Sequence, residues 1–75
     1  MENNMYRLHI EEIDKIGETI YEDEVLFDTE KDADRAAVLL LGSRGTRDKL
    51  IFTDHGYKLK KYNGATVYYN IREQY

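Results

Sequence analysis

Residues 29–42 read TEKDADRAAVLLLG, and this stretch decides the fold. Ala33, Ala36, Ala37, Leu40 and Leu41 fall at i, i+3, i+4, i+7 and i+8, the stripe of an amphipathic helix. Thr29 is placed to cap its N-terminus, with Asp32 three residues on as a relative of the capping box. Glu30 and Asp32 put negative charge in the first turn, where the helix dipole favours it. Gly42 is placed to end the helix. The small alanines allow it to lie close against a sheet.

On either side of this helix the period changes from 3.6 to two. In residues 5–13, Tyr6, Leu8 and Ile10 alternate with Arg7, His9 and Glu11, the pattern of a half-buried strand. Asp14-Lys15-Ile16-Gly17 reads as a tight turn, and residues 18–27 return as a second strand with Tyr21, Val25 and Phe27 on one face. Beyond the helix, Ser43 to Arg47 reads as a basic loop and Lys49 to Thr53 as a third strand. Asp54-His55-Gly56 is a turn before a strand from Tyr57 to Tyr62. Asn63-Gly64 is a strong hairpin signal. The last strand runs from Ala65 to Arg72, with Val67, Tyr69 and Ile71 on one face and Thr66, Tyr68 and Asn70 on the other.

The order is ββαβββ. The expected fold is therefore α+β, a small antiparallel β-sheet with one helix packed on a face, and residues 1–75 form a single domain. There is no proline and no internal repeat to mark a second unit. A chain of 75 residues has a thin core, and domains of this size often rely on a disulfide, a metal or a partner subunit. Cysteine is absent and there are two histidines, which leaves no disulfide and no histidine-rich zinc site. Val38 and Leu39, off the helix stripe, and the spare tyrosines are candidates for a homodimer interface. No apolar run reaches the roughly 20 residues a bilayer span needs, and the N-terminus lacks a signal-peptide run, so the expected location is the cytoplasm.

The net charge of −4 conceals an asymmetry. Residues 1–34 carry twelve acids against three bases, and residues 35–75 carry three acids against eight bases. Opposite-sign halves suggest electrostatic partners, or mutual neutralisation where the halves adjoin.

Chemistry is sparse. Ser43, His55 and an acid have no nucleophile-elbow context around the serine. Asp28, Glu30, Asp32 and Asp34 alternate, but an EF-hand needs glycine at loop position 6 and glutamate at position 12, where this chain has Ala33 and Leu39. Gly42-Ser43-Arg44-Gly45 follows a helix and so lacks the helix N-terminus that cradles phosphate. No enzymatic activity and no cofactor are expected.

Two surfaces remain. Glu11, Glu12, Asp14, Glu18, Glu22, Asp23 and Glu24 crowd the first hairpin, and residues on one strand face repeat at roughly 6.5–7 Å, near the phosphate spacing of a nucleic-acid strand. Such a surface suits the basic groove of a nucleic-acid-handling protein, where long-range attraction speeds association. The expected function is a non-enzymatic protein-binding module. In size, charge and architecture the chain resembles the small acidic inhibitors by which phages and mobile elements counter host defence, anti-CRISPR proteins included. That resemblance implies a host defence protein as partner, and it carries no motif and assigns no residue. The alternative is nucleic-acid or nucleotide binding by the C-terminal half, through Arg44, Arg47, Lys49, Lys58, Lys60, Lys61 and Tyr62, with Arg72, Tyr57, Tyr68 and Tyr69 interleaved. The plainer readings are a solubilising acidic hairpin, and Lys58 and Lys60 as guards on an edge strand.

Overall fold

A computed structural model describes residues 5–74 of the chain. Alternating sequence gives the strands β1 (Met5–Ile13) and β2 (Thr19–Phe27) before the helix α1 (Glu30–Leu41), then β3 (Lys49–Thr53), β4 (Gly56–Lys60) and β5 (Thr66–Gln74). All five strands join one antiparallel sheet in the order β2-β1-β5-β4-β3. The first and last strands are thus neighbours inside the sheet, while β2 and β3 form its edges. The expected ββαβββ architecture is what the chain adopts.

Helix α1 lies on one face, against β1, β2 and β5. The Thr29 hydroxyl accepts from the Asp32 amide and caps it. Ala33, Ala37 and Leu41 are buried against the sheet, with Ala36 packed beside them. Leu40 departs from the expected stripe: it is 45% exposed and faces a groove beside the helix. Gly42 ends the helix by donating to the carbonyls of Val38 and Leu39, yet its φ of −62° is right-handed, so another residue could adopt its backbone there.

Leu8, Ile10, Leu59, Val67 and Tyr69 form the sheet's share of the core. The register places them in rows: Leu8 opposite Ile71, Ile10 opposite Tyr69, and Leu59 opposite Val67. The opposite face of the sheet carries no helix among the described residues. Among the described residues no helix is long and apolar enough to cross a membrane.

Two turns share one hydrogen-bond pattern. The Asp14 amide donates to the Glu18 carbonyl and the Gly17 amide to the Asp14 carbonyl, and Lys61, Gly64 and Ala65 repeat the arrangement. Gly17 and Gly64 take φ of 94° and 95° as the left-handed residue of each turn. Asn63 itself has negative φ, so Asn63-Gly64 closes a longer hairpin and not the two-residue turn such a pair often forms. β4 correspondingly stops at Lys60, with Lys61 and Tyr62 in the turn.

Candidate functional site

The pleat decides how the charged residues are grouped. Residues directly opposite across a ladder share a face, and the next residue along faces the other way. Glu11 lies opposite Glu22 and His9 opposite Glu24, all on the open face. Asp23 lies opposite the core residue Ile10, and Glu12 opposite Val67, both on the helix side. Asp14 and Glu18 hold the hairpin tip, where Asp14 accepts from the amides of Ile16 and Glu18. The seven acids of the first hairpin therefore do not form one row. They flank β2, an edge strand exposed along its length from Thr19 to Leu26.

Several of these acids have partners. Arg7 lies 3.4 Å from Glu24, and His9 Nε2 lies 2.7 Å from Glu22. Thr19 donates to Glu11 at 2.9 Å. Glu11, Glu22 and His9 bring three potential ligand atoms within 4.8 Å of one another, though the His9–Glu22 hydrogen bond and the register that sets Glu11 opposite Glu22 already account for that closeness. On the helix side Lys61 reaches Glu12 at 3.0 Å, the one ion pair among the described residues that joins the acidic and basic halves. Mutual neutralisation across the sheet is correspondingly limited.

The basic residues are also divided. Lys60 lies opposite Lys49, and Lys58 opposite Tyr68, on the open face, and the ammonium of Lys58 sits 5.6 Å from the Tyr68 ring centre. Lys58 and Lys60 belong to β4, an interior strand, so they are not edge guards. Lys49, on β3, is the lysine at the sheet edge. Arg72 shares the open face, opposite Arg7. Arg44, Lys61 and Tyr62 line the helix side instead, and Arg47 sits in the exposed loop before β3. Tyr57 and Tyr69 also belong to the helix side, so the expected stripe of alternating bases and tyrosines is split between two faces.

Between α1, β2 and the β4–β5 turn runs a groove of about 720 Å³. Its floor is Leu8, Ile10, Val67 and Tyr69, and its walls include Tyr21, Val25, Leu39, Leu40 and Tyr62. Sequence reasoning placed Tyr21 and Val25 on one face, but it did not anticipate that the helix would leave them half exposed. Their signal was the pairing of a twelve-residue helix, about 18 Å long, with nine-residue strands of about 30 Å. Val38 is half exposed but lies off the groove. Asp23 raises the pKa of the Tyr21 phenol, chiefly through its charge. Burial raises that of Tyr69.

A second hollow of about 450 Å³ lies at the other end, lined by Asp34, Phe52, His55, Tyr57 and Ile71 among others. Ser43 and His55 line different hollows, and the Ser43 hydroxyl donates to the Leu40 carbonyl. The structure does not bring these two residues together as a nucleophile and base. No family model, no curated protein and no solved structure matches the chain.

Proposed function

We propose that the protein is a non-enzymatic binding module that engages another protein through its acidic edge. The observation that carries this reading is β2: an edge strand exposed from Thr19 to Leu26, with Glu22 and Glu24 on one side, Asp23 on the other, and Asp14 and Glu18 at its tip. Negative charge on both sides of one thin edge suits insertion into a basic cleft, with steering at long range. The fitting partner is a nucleic-acid-handling protein whose cleft normally holds phosphates. The size, charge and architecture support an inhibitor of the kind phages and mobile elements use against host defence, anti-CRISPR proteins among them, acting in the host cytoplasm.

The test compares the wild-type chain with E22K/D23K/E24K as bait in bacterial lysate, with and without nuclease. All three positions are exposed, so circular dichroism should be unchanged. The expected result is a nuclease-resistant protein held by the wild type and lost by the variant. A partner that the variant holds equally well overturns the acidic-edge reading.

A second reading rests on the far end of the open face. Lys49 and Lys60 face each other directly, an unfavourable like-charge pair, with Lys58 and Tyr68 alongside. Phosphate oxygens would relieve that repulsion. This reading expects binding of a single-stranded oligonucleotide at low salt, weakened by K58E/K60E and by added salt. No binding at low salt removes it.

A further inference from the structure

We propose that a second copy of this chain fills the helix-side groove, forming a two-fold dimer in which each Leu39 enters the other copy's groove and each Arg44 faces the other copy's Asp23. This inference shares Asp23 and the β2 edge with the acidic-edge reading, but it asks nothing of an outside partner, so the mass of the purified chain tests it apart from that reading.

The first support is that knob and hollow belong to one surface. Leu39 is 73% exposed and stands on the wall of the same groove whose floor is Leu8, Ile10, Val67 and Tyr69. A two-fold axis joins like surfaces, so a patch carrying both a protrusion and a recess is self-complementary. An outside protein would have to supply both features separately.

The second is area. Tyr21, Val25, Leu39, Leu40 and Tyr62 are 51%, 40%, 73%, 45% and 73% exposed. With ordinary whole-residue areas they leave roughly 600 Å² of surface in water, backbone and tyrosine hydroxyls included, against the about 800 Å² that each partner contributes to a stable interface. Contiguous apolar patches of this size on a small chain mark interaction surfaces. The thin core of so short a domain makes burial of this patch by a second subunit a direct gain in stability.

The third is charge. Of the charged residues lining the groove, Glu12 and Lys61 bridge each other, and Asp48 accepts from the amides of Gly45 and Tyr62. Asp23 accepts from the Glu24 amide and the Tyr21 hydroxyl; it and Arg44 are opposite in sign, and neither forms an ion pair among the described residues. A two-fold axis through the groove matches each with the other copy's opposite, giving two equivalent pairs.

Sedimentation equilibrium from low-micromolar to near-millimolar protein tests this. The expected result is a wild type that approaches twice the chain mass and a Leu39→Asp variant that stays monomeric with unchanged circular dichroism. Asp23→Arg and Arg44→Asp should each weaken association about tenfold, and the double variant should recover it. A wild type monomeric across the range overturns the proposal, as does a Leu39→Asp dimer. A double variant no better than either single one overturns the pairing and the docking geometry with it.

Discussion

The Tyr57 hydroxyl donates to Asp34 Oδ1 across 2.5 Å, joining β4 to the middle of α1. The core contacts of the helix lie mainly on β1, β2 and β5, so this bond reaches toward the half of the sheet that the helix covers least. A hydrogen bond to a charged acceptor is short and stronger than a neutral one.

Tyr57→Phe keeps the ring and its edge contact with Phe52 but deletes the donor. The expected loss is about 1 kcal/mol, below the roughly 1.5–3 kcal/mol of bonds to charged groups, because both partners are only half-buried. Urea unfolding measures it. No change in midpoint would show that water replaces the phenol without cost.

The same bond predicts an alkaline limit. Asp34 raises the Tyr57 pKa above the ordinary 10.0, first through the hydrogen bond, then through burial and charge. The folded state therefore keeps the phenol protonated where the unfolded chain has begun to ionise, and stability must fall as pH rises from 10 through the folded-state value. Tyr6, Tyr21 and Tyr69 are shifted the same way and steepen the fall. Below pH 9 these four groups should leave stability flat. Thermal melts across this range, compared with those of Tyr57→Phe, check the sign and the share owed to Tyr57.

Gly56 and Gly17 should respond very differently to alanine. At Gly56 a Cβ would stand 1.9 Å from the Tyr69 carbonyl oxygen, a backbone atom that cannot swing aside. Gly56→Ala should break the β3–β4 hairpin from β5 and cost well over about 2 kcal/mol. At Gly17 nothing lies within 4 Å, so only its φ of +94° matters and the cost should be about 1 kcal/mol. Equal destabilisation in chemical denaturation would contradict this distinction.

Ala37 is wholly buried where the helix meets the core. Ala37→Leu should lift α1 from the sheet, costing about 1–3 kcal/mol. The expected sign is lost protection of the helix amides in hydrogen exchange while β1 and β5 stay protected.

Local chemistry was legible in the sequence because local forces produced it. Thr29 caps the helix, Gly17 and Gly64 turn the chain, and the alternation around Leu8 and Val67 gives strands with one buried face. The pairing of β1 with β5 had no such signal. It joins Leu8 to Ile71 through packing between distant segments, and no turn residue announces it. The division of the acids is different: it follows from the same period-two rule, since consecutive Glu22, Asp23 and Glu24 must point to alternate faces. Counting charges along the chain obscured it. Leu40 fell outside the core because a helix stripe is wider than the contact that one short helix makes with a twisted sheet.

With β1 and β5 side by side at the heart of the sheet, Leu8 waits for Ile71 before it is enclosed. A ribosome delivers these segments at opposite ends of the described chain. The first hairpin and the helix emerge with their apolar faces bare, and no partial product of synthesis possesses the finished core. The sheet can then be completed only after the last strand has emerged, when β5 bridges the first hairpin to the second.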